Sequence, residues 1–537
     1  MPTDLTPRQR NGVLATMCLA LIAVVASVSG LNVALTELSV ELEASTAQVL
    51  WIVNAYTLTL AALLLGIGEL GDRFGRKRIL MIGLTVFAVA SGLASFVETS
   101  EQMIALRALA GLGAAMIMPA TLSIITASFP ESERGRAVGT WAGFAGAGGI
   151  LGLFVSAAII DNASWPWLFT FPVAMAVASL IATILVVPDS RSSEVHGYDY
   201  LGTILSILAV GGLVLGIHEG PEIGWTAPLT LVGLIVGALA TIGFIVWERR
   251  TAISHESGGH VAPVLDVRIF SNRKLAAAST SLTLVFALMF GVFLVVLQYL
   301  QAVLGYSALT AASGLLPMAA MMMSVSPIAP QISDRFGLGT ILGVGSALLA
   351  VGFAIMAMAD SDPSYLSILP GLIVVGLGMG LAMSPSTTAI TESLPAEKQG
   401  VASALNDTVR EFGSSIGIAL IGSLLASGYG SSIEATAEQL PDELAHPVEE
   451  GIGQALAVAG QMGEEGAPIA EAARSAFLDG WGSTMWVATA LAVVAGVAGV
   501  WMARGRSTGT ATDSGNDLAV VIPDSPAGLT DDTADVG

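Results

Sequence analysis

Asp72-Arg73-Phe74-Gly75 and Asp334-Arg335-Phe336-Gly337 spell the same four residues twice in one chain, and each copy joins two long apolar stretches. A second pair of matches follows: Ser128, Pro130 and Gly135 after the first copy, Ser393, Pro395 and Gly400 after the second. The shifts are 334 − 72 = 262 and 395 − 130 = 265. Offsets this close, in a chain built of membrane-length segments, mark an internally duplicated transporter.

Of 537 residues, 54% are hydrophobic and only 12% are charged, where a soluble protein carries about a quarter charged. Runs of about 20 apolar residues, the length of a helix that crosses a bilayer, recur along the chain. Fourteen such spans are predicted, near 13–36, 49–68, 79–97, 103–128, 137–160, 168–187, 200–217, 227–247, 275–300, 308–330, 338–359, 365–388, 400–426 and 481–503. The seventh is short and ends at His218-Glu219. The expected class is an all-α integral membrane protein. The first span follows Arg8 and Arg10 but exceeds the apolar core of a signal peptide, so an uncleaved helix is expected. Cys18 is the single cysteine, which excludes an internal disulfide framework, and no Cys/His metal cluster is present in the sequence.

The net charge of −21 is concentrated in two segments. Ten acids, from Glu434 to Asp479, lie between the last two spans, and six aspartates, from Asp513 to Asp535, lie after them. The basic residues fix the expected orientation. Of 21, 18 fall on one side of the predicted spans, Arg474 falls on the other, and Arg107 and Arg410 lie inside helices. By the positive-inside rule both termini are expected in the cytoplasm of a plasma (inner) membrane protein.

The duplicated joints make spans 1–6 and 9–14 equivalent halves in parallel orientation, with two spans inserted between them. The expected units are therefore 1–190, a six-helix bundle; 191–274, the inserted pair and a cytoplasmic linker; 275–506, the second bundle; and an acidic tail, 507–537, of disordered composition. Segment 427–480 is expected outside the membrane, with helices in Ile452–Met462 and Ala467–Phe477 forming a hairpin over the extracellular mouth.

Gly68-Glu-Leu-Gly-Asp-Arg-Phe-Gly-Arg-Lys-Arg-Ile-Leu80 resembles the cytoplasmic signature of the major facilitator superfamily. An aspartate ending one helix beside the positive end of another, gripped by arginines, makes a latch that can hold two halves and release them. Gly68, Asp72, Arg73, Gly75, Arg76, Asp334 and Arg335 are the candidate gate. The stretches Trp51–Leu60 and Leu31–Leu35, with Gly216-Ile-His-Glu219 and Gly224-Trp225, are similar to the fourteen-helix drug:proton antiporters, notably the quaternary-ammonium and biocide exporters. The resemblance implies a facilitator fold and efflux by alternating access.

Arg107, in Leu106-Arg-Ala-Leu-Ala-Gly-Leu-Gly113, matches a family arginine for which the resemblance implies proton transfer; a helix-packing charge about a turn inside the extracellular end is the competing reading. A cation in the bilayer costs ~2.5–3.5 kcal/mol, so it needs a partner or a wet cavity. Asn406-Asp-Thr-Val-Arg-Glu411 carries the other buried charges. Counting from Gly400, Asp407 lies about 10 Å and Glu411 about 16 Å into the helix, and residues 407, 410 and 411 share one face. Arg410 cannot offset two acids, so at least one is a candidate to gain and lose a proton, with Glu411 preferred; the family more often has an amide there. Candidate cavity residues are Asn54, Tyr56, Met116, Met118, Gln298, Tyr299 and Gln301, because rings and thioethers suit apolar cations. For each of these, ordinary helix packing is the competing reading.

Departures from the family pattern matter equally. Ser27 stands where the family places an aspartate in the first helix. Gly152-Leu-Phe-Val-Ser-Ala157 lacks the family's Gly-Pro in the fifth, and Trp165-Pro-Trp167 lacks its Trp-Arg-Trp. The expected function is proton-driven export of small lipophilic, cationic compounds by a monomer in a lipid bilayer, with no cofactor, metal or nucleic acid. A dedicated exporter of one metabolite or lipid, and a non-transporting receptor or scaffold, are the alternatives. Gly-x4-Gly-Lys-Ser/Thr does not occur, which argues against ATP-driven transport, and no nucleophile–base set suggests an enzyme.

Overall fold

The computed structural model describes residues 5–189, 197–361 and 363–504; the expected tail 507–537 lies outside them. No β-strand occurs among the described residues, and fourteen helical segments are long and apolar enough to cross a membrane. The first bundle comprises α1 (Pro7–Glu41), α2 (Thr46–Phe74), α3 (Arg76–Ala94), α4 (Ser100–Ser128), α5 (Glu131–Ile160) and α6 (Thr170–Val186). Capping sets the starts: the Thr6 and Ser45 hydroxyls accept from the Gln9 and Gln48 N–H groups, and the two glutamines return the bond. Next come α7 (Tyr200–Ile223) and α8 (Pro228–Glu256), then α9 (Arg273–Gln298), which runs on into a π-turn, Tyr299–Val303.

The tenth span is three short helices, α10 (Ala308–Gly314), α11 (Leu316–Val325) and α12 (Ala329–Phe336). Pro317 and Pro327 lack the N–H that would continue the helix, and the breaks fall beside them. The second bundle continues through α13 (Leu338–Ala357), α14 (Tyr365–Glu392) and α15 (Gln399–Ala437). Beyond it, α16 (Asp442–Glu450) and α17 (Ile452–Met462) pack against α15, α18 (Ala467–Arg504) and the π-turn. Residues Ala467–Phe477, read as a separate helix from the sequence, are the first turns of α18.

The duplication is visible in the backbone. Gly75 links α2 to α3 at φ 104°, ψ 122°, and Gly337 links α12 to α13 at φ 86°, ψ 142°. Residues with a Cβ are excluded from that region, so both joints need glycine. The same shifts relate the packing. Gly83 of α3 meets Gly113 of α4, where added Cβ atoms would lie 2.9 Å from the facing carbonyl oxygens. Gly345 and Gly378, which are 262 and 265 residues later, bring α13 against α14 with corresponding distances of 3.0 and 2.7 Å. One core lies in the first half, around Phe87, Ile117 and Trp141, and another, around Val285, Phe353 and Met379 of the second half, takes in Leu65, Ala147, Ile150 and Leu153 of the first. The halves meet along α2 with α15 and along α5 with α11 and α14.

Candidate functional site

Two sets of polar side chains join the halves. At one end of the bundle, Asp72 reaches the start of α15. Its carboxylate accepts from the Gly400 and Val401 N–H groups at 2.8 and 3.2 Å, which are free first-turn donors at the positive end of a helix. Arg76 donates to the same carboxylate through Nε (3.0 Å) and Nη2 (2.8 Å), and Nη2 also reaches the Ala396 carbonyl at 3.0 Å. Arg76 is buried, so Asp72 is both its counter-ion and the tie between halves. Gly68 lets α2 approach the Gly400 backbone at this point. Lys77 caps the end of α6 at the Val187 carbonyl, 2.7 Å away, and Arg73 lies over the rings of Phe74 and Tyr198.

The second copy of the latch does not form this tie. Asp334 and Arg335 are exposed, and Arg335 lies over the Phe336 ring. The reason is local. After Pro395 a short 3-10 turn, Ala396–Lys398, delays α15 until Gln399, leaving the Gly400 and Val401 donors free. After Pro130, α5 starts at once at Glu131, so Gly135 is interior to the helix and its donor is already used. Pro330 also occupies the place of Gly68, against Gly135.

Inside the bundle, Arg107 donates through Nε to the Ile52 carbonyl (3.2 Å) and through Nη1 to Ser27 Oγ (3.1 Å), with its guanidinium 4.3 Å from the Tyr56 ring centre. Tyr56 in turn donates to the Val24 carbonyl at 3.1 Å. Where an aspartate at position 27 would supply a counter-charge, this chain offers a hydroxyl, and Nη2 has no partner among the described residues.

Arg410 pairs with Asp407 at 3.0 Å. Its guanidinium lies between the rings of Phe286 on α9 and Trp141 on α5, at 4.6 and 5.2 Å, so a cation of one half is held by an aromatic of the other. Trp141 is fixed by its own bond from Nε1 to Thr121 Oγ1, 3.1 Å. Asp407 is fully buried and also accepts from Asn406. Among the described residues Glu411 makes no ion pair; its main-chain carbonyl accepts from the Ser414 and Ser415 hydroxyls.

The cavity candidates separate. Asn54 faces His218 and Glu219 of α7, and Tyr56 stacks on Arg107. Met116 packs on Gly83 of α3, and Met118 is buried in the first core. Tyr299 stacks on Trp481 with ring centres 4.5 Å apart, Gln298 is half-buried and Gln301 is exposed. Trp141, Phe286 and Ser415 were missed because a tryptophan, a phenylalanine or a serine in an apolar run carries no distinguishing signal. His218-Glu219 carried one, two ionisable residues ending a membrane-length span. No group of three or more metal-ligating side chains occurs among the described residues.

Comparison with known proteins gives a consistent result. The model of the Major Facilitator Superfamily matches residues 17–199 and 195–418. The multidrug efflux pump LfrA of Mycolicibacterium smegmatis is 32% identical over 92% of this chain and 96% of its own. The tetracenomycin C resistance and export protein of Streptomyces glaucescens is 30% identical over 85% and 84%. Among solved structures, a bacterial homolog of the human lysosomal transporter Spinster shares the fold at a TM-score of 0.58, with 15% identity over 93% of this chain and 98% of that one.

Proposed function

The chain belongs to the Major Facilitator Superfamily, and on that premise we propose that it is a multi-pass exporter that uses protons to expel lipophilic, cationic drugs or biocides. The observation that carries the proton-coupled reading is the unequal treatment of two acids on α15. Asp407 is committed to Arg410, whereas Glu411, one turn further on, makes no ion pair among the described residues. A carboxylate inside a membrane span without a counter-ion has reason to bind a proton. Protonation of Glu411 then favours one arrangement of α15 against the first half, and deprotonation the other.

Alternating access follows from the two sets of contacts. The Asp72 latch, assigned to the cytoplasmic side by the basic residues around it, holds that side shut and must open for substrate to enter. Asp72 and Arg76 are its working parts; Asp334 and Arg335 anchor the other half at the membrane surface. Substrate would lie between the halves near Tyr56, Asn54 and Arg410, where the aromatic rings that could receive an apolar cation are covered in this state by Arg107 and Arg410. The test is ethidium efflux from proteoliposomes under an imposed pH gradient, comparing the parent with Glu411→Gln and Asp407→Asn. Gradient-driven efflux unchanged in both variants rejects proton coupling through α15.

A second reading is a dedicated exporter of one metabolite or lipid. Arg107 facing Ser27 favours it, because a cation without a counter-acid repels cationic drugs, and the tetracenomycin protein is a relative named for one compound. Inhibition of ethidium efflux by many unrelated cations supports the first reading; response to a single compound supports the second.

A further inference from the structure

Where the inserted pair meets the linker, a groove opens at the edge of the membrane. From Pro228 to Trp247, α8 carries no charged residue, and Leu239, Ile242, Ile245 and Val246 lie exposed along it. Such a face is covered by hydrocarbon. Arg249 and Arg250 follow at once, so the membrane surface falls within about a turn of Trp247. At that level the linker folds back on α8: the Leu265 N–H donates to Glu248 Oε2 at 3.3 Å, and Val267–Ser271 form a 3-10 turn packed against α8. Between helix and turn lies a groove of about 540 Å³.

Its lining divides by chemistry. Phe244 and Leu265, both buried, and Ile245, Val267 and Phe270 give it apolar walls. Its charged members are Arg249 and Arg268, and no acid lines it. Arg268 is already held, with Nη2 2.7 Å from both Asp266 and Glu256, but those acids line the neighbouring cleft beside Asp72 and Lys398. Arg249 is exposed and makes no ion pair among the described residues. Along α8 it lies four to five residues past Ile245 and Phe244, about 6–8 Å nearer the membrane surface.

An apolar slot with an unpaired guanidinium one turn above it matches a phospholipid, whose phosphate stands at the membrane surface and whose acyl chains run inward. A cationic compound would face two guanidinium groups without a counter-acid, and a free phosphate would leave the apolar walls wet. A zwitterionic headgroup would find no carboxylate in the lining for its ammonium. We propose that the groove binds an anionic phospholipid, its phosphate on the Arg249 guanidinium and an acyl chain against Phe244 and Val267. The lipid braces the linker, which also reaches the second half: Lys398, just before α15, donates to the Pro263 carbonyl at 3.0 Å. The site does not depend on what the protein transports.

The test is native mass spectrometry of the full chain in detergent, titrated with dioleoyl phosphatidylglycerol and, separately, with dioleoyl phosphatidylcholine. The parent is expected to bind phosphatidylglycerol at least about tenfold more tightly than phosphatidylcholine, the size of a hydrogen bond to a charged group. Arg249→Gln removes that preference. Arg250→Gln makes the same charge change one residue on, about 100° around the helix and outside the groove, and retains it. Val267→Phe leaves the charge alone but fills the groove, and weakens the phosphatidylglycerol complex. A preference that is absent from the parent, survives Arg249→Gln or is lost equally in Arg250→Gln overturns the site and leaves only general attraction to a basic surface. A folded Val267→Phe variant that binds as the parent does overturns it as well; if that variant aggregates on size exclusion, the two arginine variants decide alone. Displacement of the lipid by inorganic phosphate or by ethidium also overturns the proposal, in favour of an anion site or a route for cargo.

Discussion

Gly68 of α2 and Gly400 of α15 meet backbone to backbone: a Cβ on Gly68 would lie 2.6 Å from the Gly400 carbonyl oxygen. That spacing brings the Asp72 carboxylate onto the first free N–H groups of α15, so the latch depends on two missing side chains as much as on its charges.

Gly68→Val is therefore expected to wedge the latch apart. Overpacking of this kind costs on the order of 1–3 kcal/mol, and only the state closed at the latch carries that cost. Cysteine accessibility at Ala396→Cys, beside the latch, should rise, and efflux should fall. Unchanged accessibility would show that α2 and α15 can separate here without releasing Asp72.

The two copies of the latch should respond unequally. Asp72→Asn removes the acid paired with buried Arg76 and weakens two bonds to a helix start. Breaking a buried pair in this way costs about 3–5 kcal/mol, so transport should fall at least tenfold. Asp334→Asn changes an exposed residue and is expected to stay within about twofold of the parent. Efflux rates at matched protein amounts test the pair. Equal losses would mean that Asp334 makes its own tie in another state of the cycle.

This asymmetry marks the limit of what the sequence made legible. The repeat, the fourteen spans and the glycine joints could be read because each rests on composition or on backbone geometry that a residue type dictates. Gly75 and Gly337 are the clearest instance, with identical four-residue joints and matching backbone angles. The inequality of Asp72 and Asp334 could not be read, because it is decided by where the next helix begins after Pro130 and Pro395. Likewise residues 407, 410 and 411 share one face in the sequence, but the choice of Arg410 for Asp407 over Glu411 is set by rings from α5 and α9. Such choices depend on tertiary neighbours far apart in the chain.

Arg410 provides a test of that arrangement. Trp141→Ala removes the first-half ring over its guanidinium while leaving the Asp407 pair in place. A desolvated cation–π contact is worth about 2 kcal/mol. Coupling between the halves should weaken, giving lower proton-driven efflux, and because Trp141 is fully buried in the first core its loss should also cost about 3–5 kcal/mol of stability. Efflux is therefore compared below the melting temperature of the variant, at matched amounts of folded protein; a Trp141→Ala variant with full efflux would confine Arg410 to its own half.

Ser27→Asp examines the other buried arginine. Ser27 Oγ already accepts from Arg107 Nη1 at 3.1 Å, so a carboxylate at that position is within reach of the guanidinium. It would give Arg107, which makes no ion pair among the described residues, a counter-charge. For a cationic substrate bound ~10 Å away, an unbalanced charge costs about 1.7 kcal/mol at an effective dielectric constant of 20. The substituted protein should therefore transport ethidium with a KM roughly tenfold lower and with kcat little changed, since the effect acts on binding. A neutral dye should show no such shift, because it does not respond to the charge on Arg107. If ethidium KM is unaltered or rises in Ser27→Asp, Arg107 does not govern the charge preference of the cavity, and the atypical first helix has no bearing on which compounds are exported.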